Sequence, residues 1–126
     1  MSVTFFLTHF LQLQTENSMK LGIIIYSDDP ETVWNTFRFA LKATEEGELV
    51  TVFLTGRGVE ADTDVLDTGR FEVNELKRRF LAAGGVLLCC GTCSMTLRGK
   101  TPVSASKGGL KDMLDIIRDS DRVLTF

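Results

Sequence analysis

Three runs of uninterrupted apolar residues constrain this chain more than any other feature. Leu21-Gly22-Ile23-Ile24-Ile25-Tyr26, Leu49-Val50-Thr51-Val52-Phe53-Leu54 and Gly85-Val86-Leu87-Leu88 lack the polar alternation of a half-solvated strand. Short apolar runs rich in β-branched residues and bounded by turn residues predict strands covered on both faces, as in a parallel sheet. Parallel neighbours need long crossover connections, and the intervening sequence supplies them. After the first run, Ser27-Asp28-Asp29-Pro30 offers Asp29 as an N-cap and Pro30 as the first residue of a helix reaching about residue 46. Val33, Phe37, Ala40 and Leu41 form its apolar stripe, Trp34 is expected in the core or an interface, and Gly47 ends it. Residues 55–70 are polar and aperiodic, which predicts a long loop of the kind that serves as a lid or binding loop. A second helix is predicted over 72–83, with Val73, Leu76 and Phe80 inward and Lys77, Arg78 and Arg79 forming a solvated basic face near its C-terminus. Residues 100–106 read as a connection, Leu110, Met113, Leu114 and Ile117 as the apolar stripe of a third long helix, and 122–126 as a last strand. This β-α-β-α-β, short helix, α, β order predicts an α/β fold with a mainly parallel sheet and helices on both faces. The 21–26 and 85–90 strands, the most uniformly apolar, are expected side by side at its centre.

All three cysteines lie in Cys89-Cys90-Gly91-Thr92-Cys93, directly after the third run. Gly91 permits a sharp turn, and 94–98 can form a short helix stopped near Gly99. A thiol is therefore expected at the carboxyl end of a central strand, the edge where open α/β sheets bind ligands. The helix N-terminus beside it would favour thiolate, the nucleophilic form. Side chains alternate along a strand, so Cys89 and Cys90 should face opposite ways. Cys89 reads as a small buried hydrophobe and Cys90 as the thiol exposed to the crevice, with Cys93 one turn on and Arg98 able to fold back toward them. Such a thiolate can attack a sulfane sulfur and become a persulfide, which an acceptor thiol then unloads. That chemistry needs one activated cysteine, no metal and no cofactor. A Cys90–Cys93 disulfide is a second way to discharge it. The Cys-x-x-Cys spacing also supports a dithiol–disulfide redox protein, although thioredoxin-like motifs follow an early strand and this pair follows the third. Zinc needs about four ligands, and the pair offers two. A non-catalytic oligomeric module with the cysteines as core is the remaining alternative.

A chain of 126 residues with 44% hydrophobic and 25% charged residues reads as one globular domain. The net charge of −3 argues against a general nucleic-acid binder. An odd number of cysteines and no signal-peptide pattern point to a reducing, cytoplasmic setting. Residues 1–18 read as an extension ahead of a domain spanning 19–126. Phe5, Phe6, Leu7, Phe10, Leu11 and Leu13 make it apolar, but Thr8, His9, Gln12 and Gln14 interrupt it, so it is too short and too polar to span a bilayer. Phe6, Phe10 and Leu13 share one helical face, consistent with a partner-packing helix or a loosely held tail. His9, the one histidine, is not expected to act as a catalytic base. Gly56, Gly58 and Ala61 fit a Gly-x-Gly-x-x-Ala string, but the dinucleotide fingerprint requires it to open an amphipathic helix. Asp62-Thr63-Asp64 follows instead, so a turn is the expected reading.

Over 19–126 the chain resembles the DsrE/DsrF-like family of small sulfur-handling proteins. The resemblance rests on Leu21-Gly22-Ile23-Ile24-Ile25-Tyr26-Ser27, on Val52-Phe53-Leu54-Thr55-Gly56-Arg57-Gly58-Val59 and on Asp121-Arg122-Val123-Leu124-Thr125-Phe126. It is closest in Gly84-Gly85-Val86-Leu87-Leu88-Cys89-Cys90-Gly91-Thr92-Cys93 followed by Arg98-Gly99. The resemblance implies a three-layer α/β/α fold of the YchN type, assembled as a dimer, trimer or hexamer. It also implies a persulfide on one cysteine at this strand end, exchanged with donor and acceptor proteins or small sulfane-sulfur compounds and involving neither nucleic acid nor membrane directly. That cysteine corresponds best to Cys90. The spacing from Cys90 to Arg98-Gly99 is about one residue longer than in the relay members, which leaves Cys93 as the second candidate. Many relatives of this small type have no assigned activity.

Overall fold

A computed structural model describes residues 17–126. In chain order the elements are β1 (Lys20–Ile25), α1 (Pro30–Glu45), β2 (Leu49–Leu54), a 3-10 helix (Gly56–Asp62), α2 (Val73–Ala82) and β3 (Val86–Cys90). A π-helical turn (Thr92–Thr96), β4 (Ser106–Gly108), α3 (Leu110–Asp119) and β5 (Arg122–Thr125) complete them. Among the described residues the strands form one sheet of order β4-β3-β2-β1-β5, with every pairing parallel. The α/β class and the three-layer arrangement are therefore as expected. Most of the reading of residues 1–18, His9 included, lies outside the described residues. No helix among the described residues is long and apolar enough to cross a membrane.

The centre of the sheet differs from expectation. β1 and β3 are not neighbours; β2 lies between them, with Ile25 opposite Leu54 and Leu54 opposite Cys89. Each βαβ crossover sets its new strand beside the last, the usual outcome for consecutive elements. Uniform apolarity reports cover on both faces, which β1 and β3 both have as interior strands; it does not report adjacency. β4 falls at the end of a stretch expected to be a connection. Ser-Lys-Gly has no apolar residue to mark it, and it becomes a strand by pairing Lys107 with Cys89 and Gly108 with Cys90.

α1 and α2 pack together on one face of the sheet. Val33, Phe37, Ala40, Val73 and Phe80 are fully buried there, and the Phe37 and Phe80 rings meet edge-on with centroids 6.0 Å apart. Asp29 caps α1 as expected, accepting the Thr32 N–H at 2.9 Å. Trp34 is half-buried, its ring centroid 5.3 Å from that of Phe71. On the opposite face lies α3. Ile116 is the residue it buries, while Leu110, Leu114 and Ile117, expected inward, face out, Leu110 being 72% exposed. The helix is rotated because Gly22 on β1 admits it: a Cβ there would stand 2.7 Å from Ile116 Cγ2. Ten residues do not cover that face, and a cavity of about 360 Å³ remains between α3 and Leu21, Leu49, Thr51 and Leu88.

The stretch expected to be a loop begins as the 3-10 helix, with Gly58, Val59, Ala61 and Asp62 buried. Its glycines have packing reasons. Gly56 has φ +55°, and a Cβ on Gly58 would overlap the Ile25 carbonyl. Ala61 fills the core. The Gly-x-Gly-x-x-Ala string is thus a tight junction after β2, with no dinucleotide-type helix behind it. Lys77 also departs from expectation. It is 3% exposed rather than solvated, because Asp62, also 3% exposed, stands 3.8 Å away and the Ala61 carbonyl accepts its Nζ–H at 3.0 Å. Burial pushes the Lys77 amine below its ordinary pKa, and the Asp62 charge is the chief opposing influence. Asp62 further accepts the backbone N–H groups of Val103, Ser104 and Ala105 at 2.6, 2.9 and 2.9 Å. Removing one member of a buried ion pair costs about 3–5 kcal/mol because the other charge is left uncompensated. Asp62→Ala should cost about that much in urea unfolding, and Asp62→Ala with Lys77→Met should recover part of it. A loss in the single variant below about 1 kcal/mol would show that the clasp does not hold the fold.

Candidate functional site

β3 delivers the three thiols to the carboxyl edge of the sheet. Beyond Cys90, Gly91 takes right-handed helical angles (φ −63°, ψ −39°), so the turn starts earlier than the expected 94–98 helix. The Leu97 N–H closes it on the Thr92 carbonyl, the wide i to i+5 spacing often found at functional positions. Cys93 therefore lies inside the turn rather than ahead of a helix N-terminus.

The thiols occupy three different environments, and none is in a disulfide. Cys89 is buried on the α2 side, its Sγ 2.9 Å from Ser94 Oγ. Ser94 Oγ donates to the Cys90 carbonyl at 2.9 Å, which leaves the Cys89 S–H as the donor to Ser94. Burial pushes the Cys89 thiol above its ordinary pKa, the Ser94 contact opposing only part of the effect. This is the inert core cysteine anticipated from the sequence. Cys90 was expected to face the crevice, but it is 4% exposed. β4 pairs with β3 up to its last residue, setting Gly108 beside Cys90, and the turn folds over the strand end. Cys93 is the half-buried thiol of the three.

The surroundings of Cys93 come from four segments. Gly56, opening the 3-10 helix, donates its N–H to Cys93 Sγ at 3.2 Å, and Thr55 Oγ1 lies 3.9 Å from the same sulfur. Cys93 also packs against the core cluster that includes the buried Cys90. Arg98 folds back as its spacing allowed, donating Nη1 to the Cys93 carbonyl at 2.9 Å. Glu60 holds Arg98 Nε at 3.3 Å and Lys100 Nζ at 2.6 Å. Burial works against a charged Cys93, but Cys90, Gly56, Thr55 and Arg98 together outweigh it and bring the thiol below its ordinary pKa. Asp29, which could have opposed a thiolate at this edge, is turned to its helix cap. The sequence pattern sets Thr55 at this end of the sheet. It does not do so for Gly56 and Glu60, since nothing in an aperiodic polar stretch shows which groups reach a thiol.

A sequence model of the DsrE/DsrF-like family matches residues 19–126. The chain belongs to the DsrE/DsrF-like family. No curated protein shows significant similarity to it. The family match covers every strand from β1 to β5 and includes Cys89, Cys90 and Cys93, so this DsrE/DsrF-like domain carries its thiols within the matched region. Membership points to a role connected with sulfur relay. Among the described residues no three His, Cys, Asp or Glu side chains converge in a way that could hold a metal ion.

What this site can do chemically is hold one sulfur as an anion beside a buried second thiol. Under limiting iodoacetamide at neutral pH, Cys93 should label first and Cys89 last, as peptide mapping can show. Labelling of Cys93 should titrate with a midpoint below that of an ordinary cysteine. The sign follows from the thiolate being the reactive form: a lowered pKa keeps the rate high as pH falls. Arg98→Gln should raise the midpoint. A Cys93 midpoint at or above the ordinary value would contradict the assigned environment.

Proposed function

We propose that this protein is a sulfur carrier that holds sulfane sulfur as a persulfide on Cys93, in a reducing, cytoplasmic setting. The observation that carries the reading is the Gly56 N–H aimed at Cys93 Sγ at 3.2 Å on a half-buried thiol. The resemblance favours Cys90 as the carrier; its enclosure favours Cys93, with Cys90 as the neighbouring member of the pair. The Cys93 thiolate attacks the outer sulfur of a donor persulfide. The donor S–S bond breaks, the donor leaves as a thiolate, and the outer sulfur remains on Cys93. An acceptor thiolate then attacks that outer sulfur and regenerates the Cys93 thiolate. The Gly56 N–H and Arg98 favour the thiolate at both ends of the cycle. Donor and acceptor are sulfur-handling proteins or small sulfane-sulfur compounds. A dithiol–disulfide redox role is the second reading, favoured by the three-residue spacing of Cys90 and Cys93 across one helical turn.

The carrier is expected to work as a homo-oligomer with other copies of this chain. Leu110, Leu114 and Ile117 form an exposed apolar row along α3, next to a sheet face that α3 covers incompletely. Burying that row against a second copy is the hydrophobic route to assembly. Light scattering at micromolar concentration should give a multiple of the chain mass, and Leu114→Glu should lower it; a wild-type monomer would contradict the proposal.

Intact mass after incubation with a persulfide donor tests the carrier reading. Cys90→Ser, which leaves Cys93 without its partner thiol, should gain one sulfur atom removable by reductant, and so should Cys89→Ser with Cys90→Ser. Adding Cys93→Ser should abolish the gain. If the protein gains sulfur on Cys90 with Cys93 replaced, the carrier is Cys90. If no variant gains sulfur, the carrier reading fails.

A further inference from the structure

We propose that Cys90 is a resolving thiol, which gives this protein a second activity: reductive release of the bound sulfur as sulfide. The inference rests on the carrier reading and concerns the fate of the loaded state.

The two thiols differ in exposure. Cys90 is buried at the end of β3, and Cys93 is half-buried. Cys93 packs against the core cluster to which Cys90 belongs. Helical backbone from Gly91 onward sets the two cysteines three residues apart across one turn, the spacing at which side chains on a helix become neighbours and within the range a disulfide bridges. Thiol–disulfide exchange requires the attacking sulfur, the central sulfur and the leaving sulfur to lie in line. In a Cys93 persulfide the outer sulfur extends toward solvent, so the leaving group departs outward while Cys90 attacks from inside. Cys89 does not compete, because Ser94 holds its thiol away at 2.9 Å.

The step balances without an outside oxidant. Cys90 gives up its proton to the departing sulfur, and its thiolate attacks Cys93 Sγ. The Cys93 Sγ–outer sulfur bond breaks, and its electron pair leaves with the outer sulfur, which departs as hydrogen sulfide. The sulfane sulfur is reduced and the two cysteine sulfurs are oxidised to a Cys90–Cys93 disulfide. A dithiol or low-molecular-mass thiol reductant then resets the pair. Transfer and release differ in the sulfur attacked: an acceptor takes the outer one from solvent, Cys90 takes the inner one from within. An acceptor that arrives before Cys90 attacks receives the sulfur; without one, the protein discharges it as sulfide.

The test is a single turnover with cysteine persulfide as the donor, unreacted donor being removed before any reductant is added. Wild type should release one sulfide per chain and end two hydrogens lighter, with a Cys90–Cys93 disulfide in its peptide map. Cys90→Ser and Cys90→Ala should keep the added sulfur and lose the sulfide release. Wild type that retains the extra sulfur with no disulfide overturns the resolving role while leaving the carrier reading intact. Absence of added sulfur in both Cys90 variants, with no sulfide from wild type, overturns the carrier reading and this inference with it. The wild-type mass decides between these outcomes even if the buried substitutions unfold the variants.

Discussion

A single buried carboxylate organises the carboxyl edge of this sheet. Asp62 is accommodated in the interior because three backbone N–H groups and the Lys77 amine face it. Those partners belong to separate parts of the chain, so satisfying Asp62 fixes the 3-10 helix, α2 and residues 103–105 relative to one another. Residues 103–105 lead directly into β4, which closes beside Cys90. The 3-10 helix that ends at Asp62 begins at Gly56, whose N–H meets the Cys93 sulfur. The position of the thiol pair is therefore set by a polar clasp several residues away from it, on top of the apolar packing of β1, β2 and β3.

The source of thiolate stabilisation differs from what a strand–turn–helix pattern leads one to expect. A helix N-terminus acts on groups lying just beyond its first turn, along the axis, and Cys93 is inside a five-residue turn instead. The donors come from across the edge: a backbone N–H at the end of β2, a hydroxyl from Thr55 and a guanidinium bonded to the cysteine's own carbonyl. Burial would raise the thiol, so the outcome depends on how many donors converge. Cys89 has a single hydroxyl partner and is pushed up; Cys93 has several and is brought down. Three cysteines within five residues thus occupy three different environments, two buried and one half-buried.

The sequence showed clearly those features that local patterning controls. β2 was located to the residue, α1 and α2 to within one residue or two, and the Asp29 cap outright, because apolar runs and capping chemistry are written locally. Strand order was less legible: β1 and β3 resemble each other because both are interior, and β2 separates them. β4 carries no apolar residue, and α3 has two candidate faces, of which the absence of a side chain at Gly22 selects the one bearing Ile116. At the site, the cysteine spacing drew attention to five residues, but Cys90, expected to face the crevice, is buried. The partners that matter most, Gly56, Glu60 and Asp62, sit in a stretch whose polar residues make tertiary contacts and leave no periodic trace.

Glu60 explains how a cation can serve this site without being a general attractor. Arg98 and Lys100 both bond to it, and two cations on one carboxylate leave a single positive charge in surplus, which matches one thiolate. A lone flexible arginine would lose much of its effect to solvent and side-chain entropy, as exposed pairs do. Here the guanidinium is mostly buried and held from two sides, by Glu60 on one nitrogen and the Cys93 carbonyl on another. A planar group tied at two points retains its direction. The guanidinium is therefore fixed beside the thiol, and its charge needs no reorganisation to face a thiolate.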